Sequence, residues 1–364
     1  MGSNALRHSQ RLADAYPWTK IPLIVSAPMR QFTGPRLALA VAKAGGIGFI
    51  GPGVKTEATL ADLDEAKDLF DASGSARLPM RDGSALPLGV GFITWTADLD
   101  IATHAVGKHR PAAAWLFAPR NGQQEFDQWA TRFREASPAT QIWMQVGTLA
   151  EALAAASSSA APDVLVLQGQ EAGGHGRAED GIGLFSLLPE AADTLASLGG
   201  AIPLVGAGGI ADGRGVAAAL GLGAAGIAMG TRFLASSEIR LPKGYQDAVL
   251  GTSDGAATTV RTQLYNHLRG TYGWPAPWSP RGVWNKTWVE HKAGVPFEEL
   301  QKRHDEAAAK GDAAWGPDGR VATYAGASVG LVKRVEDAEA IVEEVRRDAV
   351  EIIKGLASLT GSQQ

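Results

Sequence analysis

The chain contains no cysteine among its 364 residues. Disulfides, iron–sulfur ligation, thiol nucleophiles and Cys-based zinc sites are excluded with it. Long apolar runs are missing too: each apolar stretch is strand-length or is broken by Gly or charge, and none approaches the length that spans a bilayer. Charge of one sign is scarce. The 34 Lys and Arg nearly balance the 38 Asp and Glu, and a formal net charge of -4 gives no electrostatic footprint for nucleic acid. The opening Met1–Leu6 has no apolar signal-peptide core, and Leu6 stands where a myristoylation signal carries Ser or Thr. The expectations are therefore a cytoplasmic protein with thiol-independent chemistry, no membrane or nucleic-acid partner, and a disordered tail over the first dozen residues.

What is present is a repeated alternation of strand and helix patterns. Apolar, β-branched-rich runs fall at Ile21–Ala27, Ile47–Gly51, Pro87–Phe92, Ala112–Phe117, Gln141–Val146, Asp163–Gln168, Ile202–Val205 and Ala225–Ala228. Between them lie helical patterns such as Gly34–Ala44, Thr56–Phe70, Gln124–Ala136, Thr148–Ala156, Leu184–Leu198 and Gly213–Leu222. The unbroken Val164-Leu165-Val166-Leu167 is what a strand buried on both faces requires. The order predicts an α/β protein, a (β/α)8 TIM barrel, with a doubly wound open sheet as the second choice. Residues 1–236 form the barrel in this reading. Residues 237–333, Trp-rich among Pro and Gly, read as a mainly helical insertion over the active site, and 334–364 as a C-terminal helix packing on the barrel.

The last three runs are each followed by unusual chemistry. In Gly206-Ala207-Gly208-Gly209 small residues let backbone N–H groups approach an anion, and Asp212-Gly213-Arg214 opens a helix whose positive end would face it. Met229-Gly230-Thr231 lies at the next strand end and adds a hydroxyl, and in barrels these two loops commonly form a phosphate site. The remaining loop, Glu171-Ala172-Gly173-Gly174-His175-Gly176, presents His175 from a bare backbone, open to a ligand and suited to acid/base work. Glu171 is either its carboxylate partner or a loop-bracing charge. Met29, after the strand stop at Ala27-Pro28, packs either on a flat ring or into the core. Gln145 and Gln168 either hydrogen-bond the edge of a heteroaromatic ring or cap the barrel. P-loop, dinucleotide and HExxH signatures are absent, no metal site is expected, and Gly45-Gly46-Ile47-Gly48 precedes a strand and reads as a helix stop.

Jointly, Ala27-Pro28-Met29, Ala44-Gly45-Gly46-Ile47-Gly48, Gln168-Gly169-Gln170-Glu171-Ala172-Gly173-Gly174-His175, Gly206–Arg214, Met229-Gly230-Thr231-Arg232-Phe233 and Tyr324-Ala325-Gly326 resemble the nitronate monooxygenase family over nearly the whole chain. That resemblance implies an FMN-dependent barrel. Gly208, Gly209, Gly230 and Thr231 would hold the phosphate, Gln168, Gly173 and Gly174 would lie along the flavin, and Met29 would touch its ring system. Ala27, Pro28, Gln145, Ala207 and Met229 would complete the cofactor-binding set. His175 would take the proton α to a nitro group or orient an already anionic nitronate, and Tyr324 would supply a phenol. The implied substrates are alkyl nitronates or nitroalkanes and O2, the products a carbonyl compound and nitrite, and the assembly a homodimer. Flavin enoyl-thioester reductases using NAD(P)H share the Glu-Ala-Gly-Gly-His and phosphate loops and are the first alternative; a flavin-free aldolase or isomerase with a phosphorylated substrate is the second. Arg177 departs from the hydrophobic residue common at that place in both flavin branches.

Overall fold

The computed structural model describes residues 2–72, 78–200, 202–359 and 361. Eight strands close into a parallel barrel: β1 (Leu23–Ser26), β2 (Ile47–Ile50), β3 (Leu86–Ile93), β4 (Pro111–Phe117), β5 (Gln141–Val146), β6 (Val164–Gln168), β8 (Leu204–Ala207) and β9 (Gly226–Met229), the last pairing back onto β1. This is the predicted TIM barrel. One helix or more follows most strands: α2 (Pro35–Lys43), α3 (Thr56–Ala72), α4 (Leu99–His109), α5 (Gln123–Ala136), α6 (Leu149–Ser157), α7 (Leu184–Ser197) and α8 (Gly213–Gly221). Side chains at N-caps start several of them. Asp98 accepts from the N–H groups of Asp100 and Ile101 to begin α4, and Thr148 from that of Glu151 to begin α6.

Alternation along each strand separates two cores. In β6, Val164 and Val166 join an inner cluster with Phe49, Trp115 and Trp143, while Leu165 and Leu167 face the helices. Trp115 and Trp143 stack with centroids 5.6 Å apart and fill the barrel as a packed interior. The Trp143 indole N–H donates to the Tyr16 hydroxyl at 2.6 Å. Tyr16 follows α1 (Gly2–Ala15), which corrects the disordered-tail expectation. Leu12, Tyr16 and Trp18 belong to the inner cluster, and burying them orders the segment.

Two further differences bear on the site. The run read as Ile202–Val205 pairs as Leu204–Ala207, because Pro203 has no N–H to give the ladder, and Gly206 and Ala207 pair with Leu167 and Gln168. The stretch read as a His-bearing loop contains a strand, β7 (Gly174–Arg177). It pairs antiparallel with β11 (Trp278–Val283), which pairs in turn with β10 (Thr259–Arg261). The segment after β9 is thus helix and strand together, with α9 (Lys243–Gly251), α10 (Gly255–Thr258), α11 (Leu264–Leu268), α12 (Lys286–Lys292) and α13 (Phe297–Ala308) around this small sheet. The last helix, α14 (Ala338–Leu359), is tied to the barrel's outside by Arg346, whose guanidinium donates to the carbonyls of Pro22, Ala44 and Gly45. Among the described residues no helix is long and apolar enough to cross a membrane, and no cluster of His, Asp or Glu could hold a metal ion.

Candidate active site

A cavity of about 520 Å³ opens at the C-terminal ends of the barrel strands. Its floor is made by strand-end residues and its roof by residues beyond β9. Ala27, Pro28, Met29, Gln145, Gln168, Gly173, Gly174, His175, Ala207, Gly208, Gly209, Gly230, Thr231 and Tyr324 all line it. Met229 does not. Strand alternation turns its side chain into the helix-facing core, 1% exposed, and leaves Ala228 facing the cavity.

One side of the cavity is backbone. Gly208 and Gly209 hold φ of +100° and +75°, which L side chains adopt only under strain. A Cβ on Gly208 would come 2.9 Å from the carbonyl oxygen of Gly169. Among the described residues, the N–H groups of Gly208, Gly209 and Gly230 donate to no protein acceptor. Unpaired donors at two adjacent strand ends are the arrangement that receives an anion. Thr231 Oγ1 accepts from the Gly326 N–H at 2.9 Å, so its own proton remains available. The start of α8 contributes less than its sequence implies. Asp212 already accepts from the N–H groups of Arg214 and Gly215.

The glutamines sit at the ends of β5 and β6 with one functional end each engaged. Gln145 Oε1 accepts from the Trp115 indole at 2.9 Å, which leaves its amide hydrogens uncommitted. Gln168 Nε2 donates to the His175 carbonyl at 3.1 Å, and its Oε1 is buried with no hydrogen-bond partner among the described residues. Such an orphaned acceptor wants a donor from a ligand.

His175 is less bare than its glycine neighbours imply. Trp274 stacks on the imidazole, centroids 3.5 Å apart and planes 11° from parallel, so one face is closed. Its Nε2 lies 3.0 Å from Nδ2 of Asn266. Glu171 does not reach it: both carboxylate oxygens accept from the Leu184 N–H at 3.0 Å, which braces the start of α7. Burial, and next the guanidiniums of Arg269 and Arg261, hold the imidazole well below its ordinary pKa. It is neutral at physiological pH.

Tyr324 lies 5.9 Å from His175 between ring centroids, accepts from Arg269 through its hydroxyl, and donates to Asn266 Oδ1 at 3.2 Å. Burial raises its pKa, and it stays a neutral phenol. Arg261, pushed down to about 9 chiefly by burial, ties the segment before β7 by donating to the carbonyls of Gln170, Ala172 and Gly174. Among the described residues, Arg30 and Arg269 line the cavity and no Asp or Glu does. Sequence reasoning missed Asn266, Arg269, Trp274 and Arg30. For the first three the available signal was the Trp-rich composition of the insertion; for Arg30 it was adjacency to Met29.

A sequence profile of the nitronate monooxygenase family matches residues 128–271, which span β5 through α11. The chain is 59% identical to nitronate monooxygenase npaC of Metarhizium robertsii over 96% of its length and 97% of that protein. It is 38% identical to a nitronate monooxygenase of Neurospora crassa, covering 94% and 93% of the two chains. FabK from Thermotoga maritima superposes with a TM-score of 0.70 at 24% identity, over 96% of this chain and 98% of the other, a likeness of fold. Near-complete coverage at these identities settles the family. The chain belongs to the nitronate monooxygenase family of oxidoreductases.

Proposed function

We propose that the protein binds FMN and oxidises alkyl nitronates with O2 to a carbonyl compound and nitrite. The observation that carries the cofactor is the set of unpaired backbone donors at Gly208, Gly209 and Gly230, beside the Thr231 hydroxyl. A terminal phosphate satisfies them together. The orphaned Gln168 Oε1 and the free amide end of Gln145 suit the polar edge of an isoalloxazine, with Ala27, Pro28, Met29, Gly173 and Gly174 alongside. When bound, FMN supplies the acceptance of electrons from substrate and their delivery to O2.

The chain's own residues supply binding, orientation and charge. With Arg269 and Arg30 on the cavity wall and no carboxylate to neutralise them, the field favours an anionic substrate. His175 and Tyr324 offer neutral polar groups to the nitro oxygens or to the α-carbon proton. The test is direct. The purified protein is expected to be yellow, to release FMN on denaturation, and to lose its flavin absorbance when a nitronate is added without oxygen. A colourless protein that takes up no added FMN defeats the cofactor assignment, and bleaching by NAD(P)H but not by nitronate favours the reductase reading.

A further inference from the structure

Asn266, which no sequence motif marks, joins four polar groups of the site. It is fully buried, on α11, and its amide meets Gln263, His175, Tyr324 and Arg269. An amide's two ends are hard to tell apart in isolation, but here each is opposed by a group that acts in one sense only. At one end of the chain of contacts is the Trp278 carbonyl, an acceptor, met by Gln263 Nε2 at 2.5 Å. Gln263 Oε1 is thereby turned toward Asn266, which answers with Nδ2 at 2.7 Å. At the other end the Arg269 guanidinium, which can only donate, meets Asn266 Oδ1 at 3.2 Å, as does the Tyr324 hydroxyl.

With both ends assigned, the second hydrogen of Asn266 Nδ2 is directed at His175 Nε2, 3.0 Å away. That nitrogen must carry the lone pair, and the ring proton must sit on Nδ1. Nδ1 has no hydrogen-bond partner among the described residues, and His175 lines the cavity, so Nδ1 is the ring nitrogen left for a ligand.

We propose that Asn266 is a positioning residue that fixes His175 in its Nδ1–H tautomer, so that the imidazole meets the substrate as a hydrogen-bond donor and the site selects pre-formed nitronates over neutral nitroalkanes. The selectivity rests on the proposed nitronate oxidation; the tautomer does not. A donor at Nδ1 suits a nitronate oxygen, which already carries charge. Proton abstraction from carbon needs a lone pair, and Nδ1 has none. Abstraction at Nε2 would require the Asn266 N–H to withdraw, and would leave two N–H groups facing each other. The surroundings act in the same direction, because Arg30, Arg261 and Arg269 disfavour an imidazolium and the nearby carboxylate of Glu171 is spent on Leu184. Trp274 holds the ring plane.

Long-range 1H–15N spectra of the purified protein labelled with 15N-histidine read the tautomer without turnover. The His175 signals are identified by their loss in His175→Gln. Nδ1 is expected to be the protonated nitrogen and Nε2 the lone-pair nitrogen; a protonated Nε2, or an even mixture, overturns the proposal even if Asn266→Asp does not fold. Asn266→Asp keeps the shape but offers only acceptors, so it should move the proton to Nε2 and free the Nδ1 lone pair. The ratio of kcat/KM for a neutral nitroalkane to that for its nitronate should then rise by about tenfold or more, toward the contribution of a general base. An inverted tautomer with an unchanged ratio overturns the selectivity. If nitronate fails to reduce the bound flavin, the proposed reaction falls while the spectrum still decides the tautomer.

Discussion

Replacing Gly208 with alanine adds one carbon at a point where the backbone has no room for it. The position holds φ of +100°, and the new Cβ would lie 2.9 Å from the Gly169 carbonyl oxygen and 3.1 Å from the Ala172 nitrogen. Both obstacles are backbone, so the segment must shift. Strain of this kind costs about 1–3 kcal/mol, and the apoprotein should melt several degrees lower, at no more than about 2–4 °C per kcal/mol. The shift also moves the unpaired N–H groups of Gly208 and Gly209. Losing one charge-assisted hydrogen bond to a phosphate costs about 1.5–3 kcal/mol, so FMN should bind roughly 10- to 150-fold more weakly. Gly230→Ala is the comparator. Its φ is -106°, and its Cβ would meet nothing closer than the Met29 sulfur at 3.6 Å. That variant should keep the apoprotein's stability within about 0.5 kcal/mol. Equilibrium FMN titration and thermal melts of both apoproteins make the comparison. If Gly208→Ala binds FMN within about threefold of the parent, the Gly208 N–H is not a phosphate donor and the placement of the cofactor is wrong.

Three other outcomes can be checked alongside. Glu171→Ala removes the acceptor of the Leu184 N–H and should cost about 1 kcal/mol in denaturant unfolding while kcat/KM falls less than about tenfold; a loss of about a hundredfold would put the carboxylate back into proton chemistry. Trp274→Ala removes the indole stacked on His175, worth about 0.5–1.5 kcal/mol, and should lower kcat/KM by up to about tenfold with FMN content unchanged; an unaltered kcat/KM would mean the stack does not orient the imidazole. The His175 pKa is depressed below 6.5 in the folded state, so the unfolded chain binds the proton more readily, and stability contributed by the neutral imidazole is lost as pH falls below about 6.5 toward the folded value. His175→Gln should flatten that part of the stability–pH curve, leaving the smaller slope from His8 and His109, which shift the same way; identical slopes in parent and variant would count against the burial argument.

The difference between what was legible in the sequence and what was not follows the range of the interactions involved. The eight barrel strands are written locally, as apolar runs between helical patterns, and they sit in the structure within a few residues of their expected places. The glycine positions are local too, since Gly208 and Gly209 are required by their own backbone angles. Met229 fails by a single residue, because a strand alternates faces and Ala228 takes the inward one. β7 is a different kind of miss. Gly-His-Gly-Arg has no strand propensity, and it is extended because β11, about a hundred residues later, pairs with it. That same pairing brings Trp274 and α11 over the cavity, and with them Asn266 and Arg269. The residue with a motif, His175, therefore takes its protonation geometry from a residue without one. Two amides in the contact chain, Gln263 and Asn266, could each face either way in the sequence, and only the Trp278 carbonyl at one end and the Arg269 guanidinium at the other choose between the senses. Whether His175 presents a proton or a lone pair to a ligand is decided at those two termini, neither of which lies on a barrel strand.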